Sequence, residues 1–144
     1  LVLFKSHPLR IINEEFKKIM RINNASVSFD TIPVNANYFE YITLADVVCF
    51  CNSTIGIESI ALGTHAINFN NIHSIVSFDM IEVGNAVFHV KNSSEFKQAL
   101  VKIINKELLM DIEALWPDAI YKTFYFLDGK SSQRFIDYLK AEVV

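Results

Sequence analysis

The sequence predicts an α/β fold built on a parallel sheet. Short apolar runs of strand length alternate with segments whose apolar residues recur at helical spacing. The runs are continuously apolar, as in strands that helices cover on both faces of a parallel sheet. The tight-turn signals that join hairpin strands do not connect these runs. We therefore expect a Rossmann-like three-layer α/β/α arrangement with a parallel sheet, in a single domain over residues 1–144.

The strands are predicted from the apolar runs and from the polar residues that close them. The first run is expected to be a buried strand that ends at Lys5-Ser6-His7-Pro8, where the proline indicates a turn. Asn52-Ser53-Thr54 closes the third run in a similar way. The predicted strands are residues 1–4, 26–29, 47–51, 66–69 and 86–90.

Helices are predicted where apolar residues recur every three or four positions. Gly63 follows the third of these segments and is a favourable residue just beyond a helix end. Ser93 or Ser94 is the expected N-cap of the fourth, and Trp116-Pro117 is expected to break the helical pattern. The predicted helices are residues 11–22, 38–45, 55–62, 95–109 and 131–144, and residues 30–37 are expected to form a loop.

Composition and charge exclude several classes of function. The chain has 144 residues, of which 51% are hydrophobic and 20% charged, so it is neither disordered nor of low complexity. Thirteen basic and sixteen acidic residues give a net charge of −3, and no basic face indicates a nucleic-acid partner. No apolar stretch approaches the ~20 residues of a transmembrane helix, so we expect no transmembrane segment.

The cysteines and histidines give no sign of a metal site. Cys49 and Cys51 would point the same way in a strand, which is poor geometry for a mutual disulfide. We expect them to be small buried side chains in a reducing, cytoplasmic compartment. His65, His73 and His89 lack metal-ligand spacing, and no glycine-rich nucleotide motif is present, so no metal and no cofactor is expected.

Two turns are candidate sites because ligands of such sheets bind beyond the carboxyl ends of the strands. In Lys5-Ser6-His7-Pro8, the proline restricts His7 to an extended conformation that would present its imidazole at the sheet edge. There, His7 could donate to a phosphate oxygen or act as an acid on a leaving group. A histidine hydrogen-bonded within a loop fits the same residues.

The second turn, Asn52-Ser53-Thr54, leads into a predicted helix. A helix N-terminus offers N–H groups and a partial positive charge, and the hydroxyls of Ser53 and Thr54 add donors for a phosphate. Simple N-capping by the same hydroxyls is the competing interpretation.

Two acidic residues are candidate contacts for sugar hydroxyls. Glu58 does not have the spacing of an ordinary capping box with Ser53 or Thr54, so it could orient the turn, bind a sugar hydroxyl or complement the helix dipole. Glu40 follows the predicted loop and could bind ribose hydroxyls, as acidic residues in this crevice do. An exposed carboxylate on a helix face fits Glu40 equally well.

The order of these features resembles the C-terminal domain of GT-B glycosyltransferases that use CMP-activated sugars. Bacterial sialyltransferases, polysialyltransferases and capsular Kdo transferases share a His-Pro turn and a later Ser-Ser or Ser-Thr turn. The stretch from Ser53 to Gly63 is also similar to capsule and surface-carbohydrate biosynthesis proteins. The resemblance spans about residues 1–69, and Gly63-Thr64-His65 stands where the family often has Gly-Lys-Pro. It rests on Lys5-Ser6-His7-Pro8, Ile32-Pro33, Phe39-Glu40 and Asn52-Ser53-Thr54.

The resemblance implies a nucleotide-sugar site in an enzyme of bacterial surface-polysaccharide synthesis. His7 would contact the phosphate and protonate it as it leaves, as the catalytic residue. Ser53 and Thr54 would bind phosphate oxygens, Glu40 or Glu58 would hold the ribose, and Lys5 would also contact the substrate. The general base would lie in an N-terminal domain of the same protein, so this chain would bind nucleotide without transferring sugar.

The resemblance favours a CMP-sugar, sialic acid or Kdo, over a UDP-sugar. It is compatible with peripheral membrane association of the full protein. Because the chain begins at Leu1 inside an apolar run, we expect it to be part of a longer protein. A UDP-sugar transferase or UDP-sugar 2-epimerase domain remains an alternative, as does a non-catalytic α/β module whose two turns are only structural.

Overall fold

The structure, a computed structural model, describes residues 1–5, 18, 29–33, 35–51, 53–69, 84–107 and 109–142. The chain divides into two units, Leu1–Tyr41 and Ile42–Val144. Each unit contains parallel strands, and helices alternate with the strands along the chain. The predicted α/β class is therefore confirmed, and the single domain over residues 1–144 stays a prediction.

The first unit contains a parallel pair of strands, β1 (Val2–Lys5) and β2 (Phe29–Ile32). Val2 lies opposite Phe29, and Lys5 lies opposite Ile32. Residues 26–28 of the predicted second strand lie outside the described residues, and β2 extends beyond the predicted end at Phe29 into the predicted loop. Thr31 and Ile32 are β-branched and favour extended backbone, which outweighs the turn signal of the following proline.

The exposure of β1 differs from the sequence-based expectation of a buried strand. Val2 is 41% exposed and Leu3 is 42% exposed, while Phe4 is half-buried. The apolar run thus predicted the strand correctly but not its burial. Among the described residues this sheet has two strands, and the burial of their side chains depends on which elements cover the sheet faces.

In the second unit, the described residues form a three-stranded parallel sheet in the order β3-β4-β5. Its strands are β3 (Val48–Phe50), β4 (Ala66–Phe69) and β5 (Phe88–Val90). All three were predicted, although a 3₁₀ turn at Gly84–Ala86 occupies the start of the last predicted run.

Helices follow most of the strands. The helices predicted at residues 38–45 and 55–62 are confirmed, and the one predicted at residues 131–144 is confirmed over Ser131–Glu142. Gly63 has the positive φ of 82° expected just beyond a helix end. The prediction for residues 11–22 lies outside the described residues except at Lys18. The structure describes α1 (Tyr38–Leu44), α2 (Ile55–Ala61), α3 (Ser93–Ile104), α4 (Leu109–Glu113), α5 (Trp116–Phe124) and α6 (Ser131–Glu142).

Alternating residues of β4 divide the second unit into layers. Ala66 packs into an apolar cluster with Ile57 and Ile60 of α2 and with Ala119 of α5. Ile67, the next residue along the strand, packs into a second cluster with Ala99 and Ile103 of α3. Because successive strand residues point to opposite faces, α2 and α5 cover one face of the sheet and α3 covers the other.

Two helix starts differ from their predictions. Asn92, rather than Ser93 or Ser94, caps α3, because its Oδ1 accepts from the Glu95 N–H at 3.0 Å. Glu95 Oε2 accepts in turn from the Lys91 N–H at 2.7 Å, which closes the helix start reciprocally.

Trp116-Pro117 begins a helix, α5, instead of only breaking the pattern. Proline is well placed in a first helical turn, where its missing N–H has no intrahelical partner to lose. The Trp116 Nε1–H donates to the carbonyl oxygen of Ala86 at 3.0 Å and joins α5 to the 3₁₀ turn before β5.

Candidate functional site

The candidate site in the second unit is the turn between β3 and α2. β3 ends at Phe50, and Ser53 and Thr54 are both exposed just before α2 begins at Ile55. This turn lies at the carboxyl end of a parallel strand, where open α/β sheets bind their ligands. The structure therefore places both hydroxyl residues where the sequence predicted them.

Gly56 allows α2 to approach the end of β3 closely. A Cβ atom at this position would overlap the Phe50 ring, which is itself 7% exposed and part of the core. Only a residue without a side chain fits between helix and ring. The position of the Ser53–Thr54 turn thus depends on the Gly56–Phe50 contact.

The two hydroxyls have different partners. Ser53 Oγ accepts from the Ile55 N–H at 3.3 Å, which satisfies one of the first backbone donors of α2. Thr54 makes no capping bond to the backbone and already has helical torsions, φ −63° and ψ −16°. Its hydroxyl donates instead to Glu58 Oε1 at 3.1 Å. The capping interpretation therefore describes Ser53 but not Thr54.

Glu58 lies one helical turn beyond Thr54 and is half-buried. Of the three roles that the sequence left open, the structure places Glu58 in contact with the turn through Thr54 Oγ1. The carboxylate also gives the turn an acceptor that a sugar hydroxyl could use. The structure thus brings Thr54 and Glu58 into contact, and Ser53 lies beside Thr54 in the turn before α2.

Lys5 and Glu40 belong to the first unit. The Lys5 ammonium lies 4.9 Å from the centre of the Tyr38 ring, a cation–π contact. Glu40 is exposed, and its Oε1 accepts from Asn37 Nδ2 at 3.1 Å at the start of α1. Their roles as substrate contacts stay predictions. His7, the predicted catalytic residue, lies outside the described residues.

Asn68 and His89 form a polar pair that the sequence analysis did not single out as a site. Asn68 on β4 lies opposite Phe50 of β3 and opposite His89 of β5. Its Nδ2 lies 3.5 Å from His89 Nδ1. Asn68 is 8% exposed, and its buried Oδ1 has no hydrogen-bond partner within the described part of the chain. The signal in the sequence was an asparagine inside the apolar run at residues 66–69.

The segment Gly63-Thr64-His65, which departs from the family pattern, has structural contacts. Thr64 is buried, and its Oγ1 donates to the carbonyl oxygen of Ile42 at 2.8 Å. His65 Nε2 lies 3.1 Å from Glu113 Oε1, and its ring lies 5.0 Å from the ring of Trp116. These contacts fix the connection from α2 to β4.

The sequence predicted buried cysteines, but the structure shows both of them exposed. Cys49 and Cys51 are free thiols and both are exposed. Continuous apolar residues in this strand predicted cover on both faces, but β3 is the outer strand of the sheet that the described residues form. Partial desolvation still raises the pKa of the Cys49 thiol.

Two further features bear on function. Across the described ranges, no three or more His, Cys, Asp or Glu side chains lie together as metal ligands would. Within the same ranges, no helix combines the length and apolar character needed to cross a lipid bilayer.

Comparison with known proteins identifies no relative. No protein-family model matches the chain, and neither a curated protein nor a solved structure matches it significantly.

Proposed function

We propose that the chain is the nucleotide-sugar-binding part of a glycosyltransferase, and that the Ser53–Thr54 turn binds the phosphate of the donor. One observation carries the proposal: Ser53 Oγ accepts from the Ile55 N–H, so its own hydroxyl hydrogen is oriented away from that amide. A hydroxyl has one donor and two acceptor sites, so Ser53 can accept from Ile55 and donate to a phosphate oxygen at the same time. The start of α2 adds the positive end of its helix dipole.

Thr54 and Glu58 divide the remaining roles. Thr54 uses its one donor on Glu58 Oε1, and the nearby carboxylate disfavours a second anion beside Thr54. The phosphate is therefore expected on the Ser53 side of the turn. Glu58, whose carboxylate lies beside Thr54, accepts from a ribose hydroxyl, as acidic residues in this crevice do.

The donor class follows from the resemblance of the two turns to transferases of bacterial surface polysaccharides. We favour a CMP-activated sugar such as sialic acid or Kdo over a UDP-sugar. In this proposal His7 protonates the departing phosphate in the complete enzyme, and the general base lies in another domain of the same protein. The chain alone then binds nucleotide and does not transfer sugar.

Calorimetric titration of the 144-residue chain with CMP, UMP and inorganic phosphate tests the proposal. We expect CMP to bind more tightly than UMP. A Ser53→Ala/Thr54→Ala variant should lose affinity for CMP, because the hydrogen bond from Ser53 to the charged phosphate contributes about 1.5–3 kcal/mol.

Ser94→Ala is the matched control for this experiment. Ser94 is exposed in the first turn of α3, whose start is already closed by Asn92 and Glu95. Its replacement should leave CMP affinity unchanged. If CMP binding is absent at millimolar concentration, or is equal in the double variant and the control while all variants remain folded, the turn is only structural and the proposal is wrong.

A further inference from the structure

Asn68 has a polar atom that the fold does not satisfy. Its Oδ1 is buried and has no hydrogen-bond partner within the described residues, while Nδ2 lies 3.5 Å from His89 Nδ1. Exchanging the two amide atoms by a flip would place Oδ1 beside His89 and leave Nδ2 without a partner. In either orientation, one half of the Asn68 amide has no partner among the described residues, which is unfavourable in a folded protein. Buried polar atoms are nearly always paired, so an exception points to a ligand or to water.

The position of this pair relates it to the Ser53–Thr54 turn. Phe50, Asn68 and His89 are register partners on β3, β4 and β5, and so lie side by side across the sheet. Neighbouring strands are about 4.8 Å apart, so His89 lies roughly 10 Å across the sheet from the end of β3. A mononucleotide extends over a comparable distance from its phosphate to the far edge of its base.

We propose that Asn68 and His89 recognise the base of the nucleotide whose phosphate lies at the Ser53–Thr54 turn. The inference rests on the proposed function and adds the residues that recognise the nucleotide base. An asparagine amide offers one acceptor and two donors in a plane, which suits the amino and ring-nitrogen edge of cytosine or the imide edge of uracil. His89 is exposed, and exposed side chains move on the nanosecond timescale, so its imidazole can turn to contact a base that pairs with the Asn68 amide.

A buried polar residue that binds a ligand lowers the stability of the free protein and raises the affinity for the ligand. Replacing an unsatisfied buried amide by an apolar group of similar shape removes the unpaired atom and is close to neutral or stabilising. Asn68→Leu should therefore keep or raise the unfolding midpoint and lose recognition of the base. If Asn68 had a purely structural role, Asn68→Leu would lower the unfolding midpoint and leave recognition of the base unchanged.

The experiment compares CMP with ribose 5-phosphate, which has the same phosphate and sugar but no base, by calorimetry on the 144-residue chain. We expect CMP to bind at least about fivefold more tightly, the lower end for one well-placed pair of hydrogen bonds to a base. Asn68→Leu should bring the two affinities together without weakening ribose 5-phosphate. Asn85→Leu, at an exposed asparagine before β5, is the matched control and should keep the difference.

His89→Ala keeps the proposal testable if Asn68→Leu does not fold, because His89 is exposed and contributes little to the core. This variant should also reduce the difference between CMP and ribose 5-phosphate. Equal affinity of the unaltered chain for the two compounds, or an unchanged difference in the folded Asn68→Leu and His89→Ala variants, overturns the inference and leaves the proposed function standing. Failure of both compounds to bind overturns the proposed function, and the inference with it.

Discussion

Thr54 donates its hydroxyl hydrogen to Glu58 Oε1 at 3.1 Å, one helical turn along α2. The bond connects the residue before the helix to an acidic side chain on its first turn. It also separates the roles of two neighbouring hydroxyls, because the Ser53 hydroxyl has a backbone N–H as its partner instead.

This difference predicts unequal effects of the two single substitutions. Ser53→Ala should weaken CMP binding by roughly ten- to hundredfold, the equivalent of about 1.5–3 kcal/mol for one charge-assisted hydrogen bond. Thr54→Val, which keeps the shape of the side chain, should weaken it by less than about threefold. Calorimetry on both variants measures the two losses. Equal losses would mean that Thr54 contacts the phosphate directly.

Gly56 is predicted to be required for both stability and binding. Gly56→Ala places a methyl group against the Phe50 ring, and overpacking of this kind costs about 1–3 kcal/mol. Urea denaturation should show this loss, and CMP affinity should fall as the start of α2 moves.

Phe50→Leu combined with Gly56→Ala provides the control for this contact. The smaller side chain makes room for the methyl group, so the two substitutions should be less destabilising together than the sum of their separate effects. Strict additivity in the double-mutant cycle would contradict the proposed contact.

The ion pair at the start of α6 predicts a pH dependence. The Arg134 guanidinium donates to both oxygens of Asp128, at 3.0 and 2.8 Å, and this bonding holds the pKa of Asp128 below its ordinary value. The Lys130 N–H acts in the same direction. A carboxyl group whose pKa is lowered on folding stabilises the fold above its unfolded pKa, and this stabilisation is lost as the pH falls through the folded value.

Carbon-13 NMR titration of the Asp128 carboxyl group measures this effect. We expect a midpoint below the ordinary aspartate value of 3.8 and a higher midpoint in an Arg134→Gln variant. An identical midpoint in both proteins would show that Arg134 does not cause the shift.

The elements of the second unit could largely be predicted from local pattern. β3, β4 and α2 are each bounded by residues with a physical reason to end an element, such as Gly63 with its positive φ. The exposure of β1 and of the cysteines could not be predicted, because apolar composition indicates a strand but not which faces its neighbours cover.

In the candidate site, too, some contacts could be predicted from the sequence and others could not. Thr54 and Glu58 are in contact because residues four apart on a helix are neighbours, and this contact can be predicted from their spacing in the sequence. Asn68 and His89 meet through the register of two parallel strands, 21 residues apart in the chain. No local pattern sets that register, so this pair became visible only in the structure.

The proposed role of His7 predicts a large kinetic effect in the complete enzyme. His7→Ala in the full-length protein should reduce turnover by about 10²–10⁴-fold, the usual contribution of a positioned proton donor. His7→Asn should retain more donor affinity than His7→Ala and remain slow, because an amide can hydrogen-bond to phosphate but cannot protonate it. Steady-state kinetics with the donor sugar measures both effects, and unchanged turnover in His7→Ala would assign His7 a structural role.

Binding of CMP at the Ser53–Thr54 turn is tested most directly by nitrogen-15 NMR titration of the isolated chain. Addition of CMP should shift the amide signals of Ser53, Thr54 and Ile55 in a saturable manner. The amide signals of Glu95 and Phe96, at the start of α3, should not shift, because both N–H groups already donate to Asn92. No shift at the Ser53–Thr54 turn up to millimolar CMP, in a chain whose spectrum is that of a folded protein, would contradict the proposed nucleotide site.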